Sequence, residues 1–178
     1  MKLLNVIDED IVNYKKISMY IAFPHCSMKC NIDAKQRVCQ NASLLNKETI
    51  NVNIDELVER YLANPITKAI VMGGLEPFDS QFDLVPFIHT LRTKYNCEDD
   101  VVIYTGYTEE ELEGLHNYNY TTGVLQVVAK DMYTQLKNYK NIIIKFGRYI
   151  PSDETHMDPI LGVQLASNNQ YAKVISNI

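Results

Sequence analysis

Three of the four cysteines in this chain, Cys26, Cys30 and Cys39, fall within one stretch, Phe23–Asn41. The stretch follows an apolar run, residues 17–23, that reads as a core strand. Thiols on a polar loop leaving a strand point to a metal site more than to packing, because the loop offers no apolar face for ordinary buried thiols. Cys26 and Cys30 are spaced C-x3-C, close enough for local folding to bring them together. Eight residues, Asn31–Val38, then separate Cys30 from Cys39, so the third sulfur needs help to reach the first two.

Spacing narrows the metal without choosing it. Structural zinc wants four ligands, often as paired C-x2-C units, and here no downstream pair answers the first. His25 adjoins Cys26, and adjacent residues seldom both ligate comfortably. A four-iron cluster is held by thiolates, and three of them leave one iron without a protein ligand. An open position is where a metal site does chemistry. Zinc and iron–sulfur both stay open on this reading.

At 178 residues the chain fits one domain, 1–178, with a sizeable core. The net charge of −5 and a pI near 5.3 argue against nucleic-acid or anionic-membrane partners, which call for a basic face. No apolar run approaches membrane-spanning length. The opening residues, with one lysine and an early turn to acidic side chains, do not read as a secretory signal. A cytoplasmic location is expected, where thiols stay reduced and open to metal.

Strands are expected at 16–23, 68–72, 101–105, 141–146 and 171–175. Helices are expected from Asn53, from Asp79 or Ser80 and from Thr108; 124–139 is ambiguous, since its opening VLQVVA could be a strand, but the whole segment fits a longer helix better. Asn53 with Glu56 and Thr108 with Glu111 have capping-box spacing. Pro86 should bend its helix or move its start. Residues 31–38 suggest a helical turn; 1–16 resist placement and 153–170 read as irregular. This alternation predicts an α/β fold with a mostly parallel sheet. The cysteine loop, Gly73-Gly74 and Thr105-Gly106 each follow a strand, on the rim where such sheets collect ligands.

These pieces together resemble the radical S-adenosylmethionine enzymes, and most of all the small activating proteins of anaerobic ribonucleoside-triphosphate reductase. Cys26 and Cys30 match the first two positions of the family's C-x3-C-x2-C. The third position falls at Asp33, but Cys39-Gln40-Asn41 resembles the C-x-N that ends the motif, with 31–38 as an enlarged loop. Gly73-Gly74-Leu75-Glu76-Pro77 is similar to GGEP with Leu75 inserted. Tyr104-Thr105-Gly106-Tyr107-Thr108 and its acidic helix are similar to W-T-G-Y-T. Gly147-Arg148-Tyr149 resembles D-G-R-F with Phe146 in place of the aspartate, and residues 167–170 resemble a terminal S-x-N-Q.

The resemblance implies a partial (β/α) barrel. It implies a [4Fe-4S] cluster on Cys26, Cys30 and Cys39, with S-adenosylmethionine chelating the open iron. Gly73 and Gly74 would let backbone approach that cofactor, Glu76 would accept from its amino group, and Thr105 would offer a hydroxyl to its carboxylate. The implied chemistry is reductive cleavage to a 5′-deoxyadenosyl radical, fed by a donor such as flavodoxin or ferredoxin. That radical would install a glycyl radical on the reductase subunit. Rival readings are a small radical enzyme acting on a metabolite, a zinc-binding interaction module, and an iron–sulfur electron carrier. Cys97 stands alone and is expected to be an idle buried thiol.

Overall fold

The structure is a computed structural model that describes residues 1–114 and 123–176. Ten strands are described: β1 (Lys2–Leu3), β2 (Asn5–Asp10), β3 (Ser18–Phe23), β4 (Ile50–Asn51), β5 (Ala69–Gly74), β6 (Asp100–Tyr104), β7 (Ile142–Phe146), β8 (His156–Asp158), β9 (Val163–Leu165) and β10 (Tyr171–Val174). Five α-helices accompany them: α1 (Lys29–Ala34), α2 (Ile54–Ala63), α3 (Leu84–Thr93), α4 (Glu109–Glu113) and α5 (Gly123–Leu136). Short 3-10 turns cover Ala42–Asn46 and Pro77–Asp79.

Six strands form the central sheet in the order β10-β7-β6-β5-β3-β2. The inner four, β3, β5, β6 and β7, run parallel, and an antiparallel strand closes each side. The expected α/β class and mostly parallel sheet are therefore observed. Among the described residues β2 and β10 each pair on one side only, so the sheet is open and no closed barrel forms.

Alternation along each strand splits the core in two. Met19, Ile21, Phe23, Ile70, Met72, Val101, Ile103, Ile142, Ile144 and Phe146 pack against the helices. Ala69, Val71, Val102, Ile143 and Ala172 face the other way, beneath Tyr14, Leu161 and Leu165. Among the described residues no helix covers this second face; the segment before β3 and the β8–β9 hairpin cover it instead. Residues 153–170 thus hold two strands where irregular chain was expected, and residues 1–16 hold two more. β1, β8 and β9 were hard to read because a two- or three-residue strand carries too little alternation to register, and β2, six residues long, carries an acidic run, Asp8-Glu9-Asp10, in place of an apolar one.

Local chemistry explains the helix starts. Thr108 Oγ1 accepts from the Glu111 amide at 3.3 Å and Glu111 Oε2 accepts from the Thr108 amide at 2.9 Å, a complete capping box. Asn53 Oδ1 accepts from Asp55 and Glu56, but the reciprocal arm from Glu56 is not made. The helix expected from Asp79 or Ser80 begins later, at Leu84. Pro86 then sits in its first turn, where a missing N–H costs nothing. No helix among the described residues is long and apolar enough to cross a membrane.

The hairpin over the second face hangs on Asp158, which is 3% exposed. Its carboxylate accepts from the amides of Ile160 at 2.9 Å, Leu161 at 2.8 Å and Ala172 at 2.8 Å, tying the β8–β9 turn to β10. Asp158→Ala leaves these amides without partners and should cost about 3 kcal/mol. Chemical denaturation of the full chain measures it; a cost under about 1 kcal/mol would mean that water replaces the carboxylate.

Candidate metal centre and ligand cavity

A cavity of about 390 Å³ opens at the carboxyl ends of the parallel strands. Its wall includes Cys26, Cys30, Cys39, Gly73, Gly74, Glu76 and Thr105, so every site residue expected from the sequence lines one space. Such a volume suits a small organic ligand.

The cysteine loop is braced at four points. Asp79 Oδ2 accepts from the Ser27 amide at 2.6 Å while its Oδ1 accepts from the Tyr107 hydroxyl at 2.8 Å. The His25 carbonyl accepts from the Glu76 amide at 2.8 Å, so His25 shapes the loop through its backbone. Asn31 Oδ1 accepts from the amides of Val38 at 2.9 Å and Cys39 at 3.0 Å. Asn41 Nδ2 donates to the Gly74 carbonyl at 2.8 Å. The long gap between Cys30 and Cys39 is therefore absorbed by α1 and folded back by the Asn31 side chain. Asn31 escaped the sequence reading because an asparagine beside a cysteine carries no distinguishing spacing.

All three sulfurs are partly buried, and Cys97 lies away in the helix-side core. Burial pushes the Cys26 thiol up to about 12, against the Met28 amide that donates to its sulfur at 3.2 Å; the charges of Glu76 and Asp79 add to the rise. Burial also raises Cys30, and neighbouring Cys39 raises it further. A thiol here resists ionisation on its own, whereas coordination to iron deprotonates it outright. Among the described residues no three His, Cys, Asp or Glu side chains converge on a single ion position. Three thiols on one cavity wall are the donor set that a thiolate-held cluster needs.

Residues 15–148 match the family described as 4Fe-4S single cluster domain. The chain belongs to that family. No curated protein and no solved structure matches it. An iron–sulfur centre is thus supported both by the family and by the placement of the thiols in this cluster domain.

The glycine pair has steric reasons to be glycine. A Cβ on Gly74, whose φ is +85°, would lie 2.8 Å from the Phe23 backbone nitrogen. One on Gly73 would meet the Tyr20 hydroxyl at 2.8 Å, and that hydroxyl accepts from the Gly74 amide at 2.6 Å. The two glycines let β5 approach β3, the strand that delivers the cysteine loop, closely.

Glu76 is 6% exposed and well satisfied. Oε1 accepts from the Thr105 hydroxyl at 2.8 Å and the Phe78 amide at 3.2 Å, and Oε2 accepts from the Gly106 amide at 2.9 Å. The Thr105 hydroxyl donates to Glu76 and accepts from the Tyr107 amide at 3.0 Å. Glu76 and Thr105 are therefore partners of each other across the loops after β5 and β6. Burial first, and Asp79 second, raise the Glu76 carboxyl to about 7 despite these donors.

Phe146, at the position where the sequence resemblance puts an aspartate, is fully buried on the helix side against Tyr133 and Tyr171. Lys145 lines the cavity instead. Its sequence signal is a lone charge in the apolar run Ile-Ile-Ile-Lys-Phe. Arg148 also lines the cavity, with its guanidinium 2.8 Å from Glu111 and 3.0 Å from Asp33.

Two outcomes follow. Cys39→Ala and Asn31→Ala should both lower the iron content of anaerobically reconstituted protein, and Cys97→Ala should leave it unchanged. Iron lost from the Cys97 variant but kept in the Cys39 variant would reverse the ligand assignment. The raised Glu76 carboxyl means the folded state holds a proton that the unfolded state releases between about 4.5 and about 7. Its contribution to stability is present at the acid end of that window and is lost as pH rises through it. Glu76→Gln should flatten that part of the stability–pH profile, as read by denaturant unfolding.

Proposed function

We propose that this cluster-domain protein is a radical S-adenosylmethionine enzyme whose open sheet serves as the partial barrel. The observation that carries the reading is the convergence of three thiols, a glycine pair and the Glu76–Thr105 pair on one cavity at the carboxyl ends of the parallel strands. Cys26, Cys30 and Cys39 would hold the [4Fe-4S] cluster. When bound, the cluster and S-adenosylmethionine supply one-electron cleavage of a carbon–sulfur bond and a reactive alkyl radical.

The protein's own share is orientation and shielding. Gly73 and Gly74 keep the wall beside the sulfurs thin. Glu76 would keep acceptor capacity on that rim for an amino acid's ammonium, while Thr105, whose one hydroxyl proton goes to Glu76, would hold the Glu76 carboxylate in place and not meet the cofactor's carboxylate as expected. Aromatic and apolar side chains of the second sheet face limit water. The substrate we propose is a glycine in the reductase subunit of an anaerobic ribonucleotide reductase, with a flavodoxin- or ferredoxin-type electron donor. This part rests on the resemblance of the 104–112 and 167–170 segments.

One observation favours a second reading, a free metabolite as substrate. The β9 residues Val163–Leu165 and Ala166 line the cavity, so the chain supplies a wall that a protein partner would otherwise provide.

Electron paramagnetic resonance of anaerobically reconstituted, reduced protein, with and without S-adenosylmethionine, tests the central proposal. A four-iron signal that changes with the cofactor, together with 5′-deoxyadenosine, is the expected result. A colourless zinc protein, or a cluster indifferent to the cofactor, would overturn it. A glycyl-radical signal on an added reductase subunit separates the two substrate readings.

A further inference from the structure

Lys145 is 7% exposed, lines the cavity and belongs to none of the assignments above. Along β7 its neighbours Ile144 and Phe146 point into the helix-side core, so Lys145 projects from the opposite face with Ile143. It lies in a row across the sheet. Ala22 pairs with Gly73, Tyr104 pairs with Lys145, and Lys145 pairs with Ala172, while Gly73 and Tyr104 stand one step beyond the Met72–Ile103 pair. With strands about 4.8 Å apart, the Lys145 backbone stands roughly 10 Å from Gly73 and roughly 14 Å from the strand that delivers the cysteine loop.

An ammonium has three donors. One goes to the Gly147 carbonyl at 2.8 Å, which also accepts from Gln170 Nε2 at 3.2 Å. Among the described residues no carboxylate lies within ion-pair distance of it. The nearest influence is the Glu76 charge, and Glu76 is already engaged with three donors. Burial pushes the lysine pKa down to about 8, which still leaves it a cation near neutrality. A cation buried against a ligand cavity with two donors unfilled is costly unless an anion meets it.

We propose that Lys145 anchors a carboxylate on the second ligand of this cavity, the one that shares it with the cofactor. This rests on the reading that the cofactor occupies the cysteine side. Lys145 stands on the far side of Thr105 from Gly73 and the cysteine strand, so a second ligand lying beyond the cofactor would meet it. Two free N–H groups match the two oxygens of a monoanionic carboxylate. A phosphate would draw further cations, and the cavity's other cations, Lys29 and Arg148, are already paired, Lys29 with Glu111 and Arg148 with Glu111 and Asp33. A free carboxylic acid and an acidic side chain of a protein segment present the same group.

The test uses the full chain without cluster or cofactor, carrying ¹³C-labelled lysine. Acetate is titrated against chloride at constant ionic strength. A saturable shift of the Lys145 resonance and a rise in the thermal unfolding midpoint with acetate are expected. Lys145→Met should lose both and Lys145→Arg should keep the midpoint rise. No response, an equal response to chloride, or a response to phosphate in place of acetate overturns the proposal. Succinate and an end-blocked peptide with one glutamate are then compared; tighter binding of either supports the anchor and names the source. S-adenosylmethionine binding to reconstituted Lys145→Met should stay within about twofold of the unaltered chain, and a tenfold loss would place Lys145 in the cofactor site and overturn the assignment. If the unaltered chain binds no S-adenosylmethionine, the cofactor reading fails while the acetate response still stands.

Discussion

The site depends on one buried carboxylate. Glu76 gathers the Thr105 hydroxyl and the amides of Phe78 and Gly106, so the loops leaving β5 and β6 cannot move apart without stranding donors in a dry interior. Its own amide donates to the His25 carbonyl at 2.8 Å and brings the cysteine loop into the same assembly. Asp79, three residues on, repeats the device with Ser27 and Tyr107. Two acids after one strand thus fix the rim on which the thiols stand. The cost is visible in Glu76 itself, whose carboxyl is pushed well above its ordinary range by burial.

The enlarged cysteine loop gains its shape from polar contacts, not from a core, since α1 buries no side chain. Asn31 closes it from within, and ion pairs hold it from outside. Lys29 lies 3.2 Å from Glu111 and over the Tyr107 ring, and Asp33 pairs with Arg148. Asp33 stands where the C-x3-C-x2-C spacing would put a third cysteine, and here it contributes a charge instead of a sulfur. The loop is thereby docked on α4 and the end of β7, which keeps Cys39 on the cavity wall.

Much of the fold was legible. Runs such as residues 68–72 and 101–105 are continuous and apolar because parallel strands are covered on both faces, and each stood out for that reason. The Thr108–Glu111 cap was legible because both partners are within one turn. What escaped were long-range polar contacts: Asn31 to Cys39, Glu76 to Gly106, Asp158 to Ala172. No local pattern marks an acceptor whose donors lie in another segment. The antiparallel pairing of β2 and β10 at the sheet edges escaped for a related reason, since it depends on how the outermost strands pair and not on any one strand's sequence. The expectation for 124–139 was met by α5, while residues 115–122 lie outside the described part of the chain.

The β8–β9 hairpin sits on the face opposite the helices and is pinned by Asp158 to the last strand, well away in sequence from the cysteines. The part that shapes the far wall of the cavity is therefore a separate module from the part that carries the sulfurs. Insertions or deletions between β8 and β9 would alter which molecules fit while leaving the thiol geometry untouched. A lineage built on this plan can change what its cavity admits without rebuilding where its thiols stand.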